Sequence, residues 1–215
     1  MELKELSLPD FFKIYYSKFP QLTPIQEKSV KAGLLEKRSI LACAPTASGK
    51  TLVATMAICK ALEEGKAIYI VPLKALAGEK FKEYQSLLKG TEFKVVMSTG
   101  DIDSDSSYLA SYDLLILTTE KLDSLLRHKV SWISEVKSVI IDEIHLLNDP
   151  TRGPTLEVII TLLKQLIKPQ LVGLSATIGN SKELAEWLEA TLVIDDWRPV
   201  ELKQGIFNEG KTEFY

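Results

Sequence analysis

In the run Ala44-Pro45-Thr46-Ala47-Ser48-Gly49-Lys50-Thr51, a glycine, a lysine and a threonine stand in direct succession between an apolar stretch and a long helical pattern. These types in this order suit a polyphosphate. Backbone N–H groups of a tight loop and of a helix start converge on one point and favour an anion there. Gly49 admits close approach of phosphate to backbone. Lys50 adds a point charge for the β- and γ-phosphates, and the Thr51 hydroxyl is placed to ligate Mg2+. Ala44 replaces the first glycine of the strict Walker pattern, and Ala47 stands inside the loop. A second cluster ends the run Val139-Ile140-Ile141-Asp142-Glu143-Ile144-His145. Asp142 suits the outer sphere of a phosphate-bound Mg2+, and Glu143 is placed to orient and deprotonate a water. The acidic pair equally suits the start of the next helix, where negative charge is favoured.

The elements that must position these residues form a rhythm. Apolar, β-rich runs occur at Ser39–Ala44, Ala67–Val71, Phe93–Met97, Leu114–Leu117, Val136–Ile141 and Gln170–Leu174. Near-continuous apolar strands indicate a sheet covered on both faces. Helical patterns separate them: Lys50–Glu64 closed by Gly65, Lys74–Lys89 closed by Gly90, Glu120–His128, Leu156–Lys168 and Lys182–Ala190. The alternation predicts a doubly wound α/β domain with a mostly parallel central sheet and helices on both faces, whose ligands gather at the carboxyl ends of the strands.

Composition sets the outer bounds. The chain has 215 residues, a net charge of −3, 46% hydrophobic and 26% charged residues, which excludes disordered, collagen-like and disulfide-scaffold classes. The length suits one substantial domain, and the slight acidity argues against coating nucleic acid by bulk charge. Cys43 and Cys59 sit in apolar surroundings and read as buried reduced thiols. The N-terminal run lacks a secretory pattern and no stretch is long enough for a membrane span, so a cytoplasmic protein is expected.

With Ser175-Ala176-Thr177 following the last long strand, the Asp142-Glu143-Ile144-His145 box makes an ordered set that resembles the superfamily-2 DExH-box helicases. Pro72-Leu73-Lys74-Ala75-Leu76-Ala77, Thr118-Thr119-Glu120-Lys121, Arg152-Gly153-Pro154-Thr155-Leu156-Glu157 and Trp197-Arg198-Pro199-Val200 point to their Ski-like branch, and within it to the archaeal Hjm-type fork-repair DNA helicases. The resemblance spans nearly all of residues 20–203. It implies the first RecA-like motor domain of an ATP- and Mg2+-dependent translocase moving 3′ to 5′ on single-stranded or forked DNA. Residues 1–30 would be a lead-in, 31–196 the ATP-binding domain, and 197–215 an exit strand (Val200–Gln204) and linker toward a second RecA-like domain. That second domain would supply arginine to the γ-phosphate, so the chain alone would bind ATP weakly and hydrolyse it poorly.

By position in the resemblance, Gln26 would read the adenine edge, which a carboxamide can do by donating and accepting at once; otherwise it is a surface glutamine at a helix start. His145 and Ser175-Ala176-Thr177 would couple the nucleotide to the nucleic acid, although nothing local excludes a structural role for His145. The nucleic-acid track would use Lys74, Ala75 and Leu76 at an open helix start, Ser98, Thr99 and Gly100, then Thr118, Thr119, Lys121 and Arg152. Thr118-Thr119 equally suits a helix N-cap. Such contacts hold a sugar-phosphate backbone without reading sequence. The acidic stretch Asp101–Asp105 reads as a solvated loop. An RNA helicase of the same branch would share every motif. A nucleotide-binding regulatory module without translocation is a second alternative, and a P-loop kinase is the weakest, having no use for the Asp142–His145 box.

Overall fold

The computed structural model describes residues 1–100, 107–201, 205–208 and 210–214; the acidic stretch 101–105 lies outside them. Elements follow the chain as α1 (Asp10–Tyr15), α2 (Pro24–Lys31), β1 (Ile40–Cys43), α3 (Lys50–Leu62), β2 (Lys66–Val71), α4 (Lys74–Leu87), β3 (Val95–Ser98), β4 (Leu114–Thr118), α5 (Thr119–Arg127), β5 (Val136–Ile141), α6 (Gly153–Leu166), β6 (Gln170–Ser175), α7 (Ser181–Leu188), β7 (Thr191–Ile194), β8 (Gly205–Asn208) and β9 (Lys211–Phe214). The first seven strands make one parallel sheet in the order β3-β4-β2-β5-β6-β1-β7. β8 and β9 pair antiparallel as a separate hairpin.

Strand alternation explains why the runs read as continuously apolar. In β1, Ile40 and Ala42 enter one core while Leu41 and Cys43 enter the other; in β2, Ala67, Tyr69 and Val71 face the first and Ile68 and Ile70 the second. Successive side chains of a strand point to opposite faces, so a sheet covered twice needs apolar residues at both parities. α3, buried from Val53 through Ala57 and on to Leu62, covers the first face with α2 and α4. α5, α6 and α7 cover the second. Leu3, Leu6, Leu8, Phe12 and Ile25 pack into the first core as well, so residues 1–30 are built into the same body as the sheet.

Both cysteines are free and buried. Burial pushes the Cys43 thiol up to about 11, against the pull of the nearby Lys50 charge, and pushes Cys59 higher still. Neither is a thiolate near neutral pH.

Two expectations change. Of the exit strand expected at Val200–Gln204, the described residues show no pairing: Val200 is 76% exposed, neither it nor Glu201 is in a ladder, and the next strand, β8, runs Gly205–Asn208. Residues 202–204 lie outside the described residues. Pro199 has no N–H to donate to a ladder, and the nearest strand pairing available is local, closed at Gly210 with φ +79°. The sheet also gains an unforeseen edge strand, β7, from Thr191-Leu192-Val193-Ile194 beside β1.

Candidate nucleotide site and nucleic-acid edge

Because the seven strands are parallel, all their carboxyl ends lie along one edge of the sheet, and strand order decides which loops are neighbours. Read across that edge, Ser98-Thr99-Gly100 follows β3, Thr118-Thr119 ends β4, and Pro72–Leu76 follows β2. Asp142-Glu143 follows β5, Ser175-Ala176-Thr177 ends β6, and the phosphate loop follows β1. The residues expected for nucleic acid thus occupy one half, and those expected for the nucleotide the other. The Asp142–His145 box and the Ser175 segment stand between them.

The phosphate loop turns through two left-handed residues, Ala47 (φ +66°) and Gly49 (φ +97°), the latter capping α3. A side chain at Gly49 would run into the Gln26 carboxamide. The Lys50 ammonium curls back onto the carbonyls of Ala44 (2.5 Å) and Pro45 (2.9 Å). Burial lowers its pKa below the ordinary lysine value; Glu143 and Asp142 oppose that, and the Arg198 charge adds to it. Thr51 is partly exposed, and its carbonyl accepts from Thr55 Oγ1 at 3.0 Å.

Gln26 has a bracing role that its spacing did not suggest. Its Oε1 accepts from the Thr23 N–H at 2.9 Å, its Nε2 donates to the Gly49 carbonyl at 3.0 Å, and Thr23 Oγ1 donates to the Ser48 carbonyl at 2.9 Å. Gln26 is 4% exposed, so it is buried against the loop and is not the surface glutamine its place at a helix start also suggested; these bonds use one amide hydrogen and one carbonyl lone pair.

Asp142 is held at both oxygens. Oδ2 accepts from the Tyr69 hydroxyl at 2.8 Å, and Oδ1 accepts from the Glu143 N–H at 3.0 Å. Glu143 itself has φ +50°, in the left-handed region. Non-glycine residues in such conformations gather at functional sites, where the surroundings hold them. His145 Nδ1 lies 3.3 Å from Glu143 Oε2 without forming a hydrogen bond of good geometry. Three buried polar atoms around the loop lack a hydrogen-bond partner: Ser48 Oγ, Ser175 Oγ and His145 Nδ1. Buried polar groups are normally satisfied; Asp123 Oδ1, Trp132 Nε1 and Ser138 Oγ, in α5, before β5 and near the start of β5, lack a partner as well. Among the described residues no group of three or more His, Cys, Asp or Glu could hold a metal alone.

The β6 end is stitched to the loop by the Ala44 N–H, which donates to the Ser175 carbonyl at 3.2 Å. On the other half, α4 starts without a side-chain cap and exposes Lys74 and Ala75, while Leu76 is partly exposed. Ser98, Thr99 and Gly100 also reach the surface. Thr118 is the N-cap of α5, accepting from the Lys121 N–H at 3.4 Å. Thr118, Thr119 and Lys121 are 3%, 7% and 3% exposed, so they lie beneath the edge rather than on it. Arg152 is partly exposed and shares with Asp142 and Thr119 the lining of an enclosed cavity of about 10 Å3. The 560 Å3 cleft lined by Lys164, Trp187 and Glu189 opens beside Ser39 and Leu171, at the opposite end of the strands.

Two features escaped the sequence reading. Tyr69 looks like one more apolar residue inside Ala67–Val71. The Trp197-Arg198-Pro199-Val200 segment returns to the nucleotide half: Arg198, Pro199, Val200 and Glu201 line a cleft of about 290 Å3 with Thr46 and Ala47. It is tethered there by Asp195, which pairs with Lys28 at 2.8 Å and accepts from the Trp197 N–H at 2.7 Å. Burial works against the Asp195 charge, but those partners outweigh it and hold its pKa below the ordinary value.

Among the described residues no helix is long and apolar enough to cross a membrane. The family model described as DEAD/DEAH box helicase matches residues 23–185. The chain is 52% identical over 202 residues to the ATP-dependent DNA helicase Hel308 of Methanocaldococcus jannaschii, covering 90% of this chain and 17% of that protein. It is 55% identical over 192 residues to the Pyrococcus abyssi protein of that name, covering 88% and 26%. Against the one from Methanocella arvoryzae it is 49% identical over 215 residues, covering 96% and 29%. The chain therefore spans under a third of the length of these relatives. Among solved structures, the DUF1998 helicase MrfA superposes with a TM-score of 0.75 at 25% identity, over 88% of this chain and 33% of that one. Its DNA-bound form gives 0.74 at 25%, over 88% and 30%. A family model matching most of its length and relatives identical at about half of the aligned positions place the chain in the DEAD/DEAH box helicase family.

Proposed function

We propose that this chain is the first RecA-like motor domain of an ATP-dependent DNA helicase of the fork-repair type, tracking 3′ to 5′ along one strand. The observation that carries this reading is the gathering of the phosphate loop and the acidic box at the carboxyl ends of β1 and β5, on one edge of a parallel sheet with the Ser175 end of β6 between them. Lys50 binds the β- and γ-phosphates together with the loop N–H groups of Ala44–Thr51. Glu143 orients the attacking water and accepts its proton. Thr51 and Asp142 are the residues that would hold Mg2+, which when bound neutralises charge on the phosphates. Gln26 braces the loop and meets the adenine edge with its remaining donor and acceptor. His145 and Ser175-Ala176-Thr177 pass the state of the nucleotide to the other half of the edge. There Lys74, Ala75, Leu76, Ser98, Thr99, Gly100 and Arg152 hold a strand's backbone, with Thr118, Thr119 and Lys121 supporting them from below.

The segment 197–215 leads to a second RecA-like domain, and the arginine that domain supplies is worth about 10³–10⁵ in rate. The partners are single-stranded or forked DNA, and the protein works in the cytoplasm. The DNA-helicase names of the relatives and the DNA-bound structural neighbour support DNA over RNA.

The test is strand-stimulated ATP turnover by the full-length protein. Glu143→Gln is expected to lower turnover by about 10²–10⁴ while ATP and single-stranded DNA still bind. Unchanged turnover in that variant defeats the assignment. RNA outcompeting DNA as stimulator would move the substrate to RNA.

A further inference from the structure

Tyr69 is fully buried in the middle of β2, beside β5, with Ile140 as its partner across the ladder. A phenylalanine would fill that place equally well as a packing residue. The added hydroxyl needs a partner once water is excluded, and it has one: Asp142 Oδ2, at 2.8 Å. The other oxygen, Oδ1, is taken by the Glu143 N–H at 3.0 Å. Two donors from different elements, one on each oxygen, stop the carboxylate from turning about its own bonds. Each oxygen retains a lone pair for something outside the protein. The ring that carries the hydroxyl is itself closely surrounded. It packs against the fully buried Tyr84 of α4, centroids 5.7 Å apart, and the Lys80 ammonium lies 5.9 Å from its centre.

We propose that Tyr69 is a positioning residue for Asp142, fixing that carboxylate in the orientation that receives a magnesium-bound nucleotide. The proposal rests on the nucleotide reading above and adds to it the group that sets the geometry. Donors that orient a metal-binding side chain are commonly worth 10- to 100-fold in metal affinity or activity. Tyr84 offers a matched comparison. Its hydroxyl is equally buried but lies 3.2 Å from Thr55 Oγ1, on the α3 side.

The experiment uses the full-length protein, wild type, Tyr69→Phe and Tyr84→Phe, with a fluorescent ATP analogue titrated at a series of Mg2+ concentrations and again in EDTA. Thermal unfolding of each variant is recorded alongside. Tyr69→Phe is expected to bind the analogue in EDTA as the wild type does, since the phosphate loop is untouched. The Mg2+ concentration for half-maximal tightening should rise by about 10- to 100-fold. Tyr84→Phe is expected to lose some thermal stability yet keep the wild-type Mg2+ requirement. In an Asp142→Asn background, removing the Tyr69 hydroxyl should add no further shift in that requirement. An unchanged Mg2+ requirement in Tyr69→Phe, or an equal shift in Tyr84→Phe, overturns the proposal. Wild-type protein that binds no analogue overturns the nucleotide reading itself, a result distinct from either of those.

Discussion

Lys50 and Ala47 show how the phosphate loop stands under tension before any ligand arrives. The ammonium of Lys50 is drawn into a partly buried place, and burial lowers its pKa; the carboxylates of Glu143 and Asp142 only partly offset this, and the Arg198 charge adds a smaller downward push. The sign of the consequence follows. In the unliganded protein the charged lysine costs stability at pH values below its folded pKa, and that cost fades as pH rises through the folded pKa toward 10.5. Nucleotide affinity moves the other way, because the phosphates need the ammonium. Affinity for an ATP analogue should therefore fall at an alkaline pH below that of an ordinary lysine, and Arg198→Ala should shift the fall to higher pH. Analogue titrations across the alkaline range, with Lys50→Met as the flat reference, check this. Ala47 is a simpler case. A non-glycine residue at φ +66° carries about 1–2 kcal/mol of strain, and glycine there would give back about 0.5–1 kcal/mol of it as chain entropy. Ala47→Gly is expected to stabilise the domain by about 0.5–1 kcal/mol in urea denaturation. No change, or a loss, would mean that the loop is not strained at this residue.

At the scale of elements, close approach decides several boundaries. α6 begins at Gly153, three residues before the expected start at Leu156, because Pro154 is at home in a first helical turn. Gly153 is pressed against the backbone of Leu147, so a side chain there meets atoms that cannot swing aside. Gly153→Ala should destabilise the fold by about 1–3 kcal/mol, measured by denaturant midpoint. Gly173 in β6 is a milder instance, with the Leu41 and Ile144 methyl groups 3.0 and 3.1 Å from where its side chain would start. Gly90 takes a left-handed turn at φ +86° as a helix-stopping glycine does, although α4 ends at Leu87, two residues before the expected Lys89. Gly65 follows α3 for another reason: the Glu135 carbonyl sits where its side chain would be. β7 was not legible, because a threonine and three apolar residues directly after a helical pattern carry no period of their own. Only the vacant edge beside β1 makes them a strand.

For the whole molecule, the order of strands matters more than net charge. A chain of net charge −3 has little bulk attraction for a polyanion, and the cationic residues reaching the proposed track are few, chiefly Lys74 and Arg152. Each neutralised phosphate on a single strand contributes about −0.7 to the slope of log affinity against log salt. Two cations predict a slope of about −1.4, measurable by fluorescence anisotropy with a labelled single-stranded oligonucleotide at several salt concentrations. A slope steeper than about −3 would show that other basic residues dominate and that the proposed track is misplaced.

Local chemistry and periodicity were enough to predict the mostly parallel α/β class and to single out Ala44–Thr51 and Asp142-Glu143 as candidates, because each is written in adjacent residues or in a short repeat. Their relative placement was not. Tyr69 reaches Asp142 across 73 positions of chain, and Arg198 comes back to Thr46 and Ala47 from the far end of the molecule. Thr118, Thr119 and Lys121 sink below the surface that their motif suggested. Such facts depend on which strands lie side by side and which faces are covered. They are settled by packing between segments distant in the chain, and packing leaves no local mark on residue type or spacing.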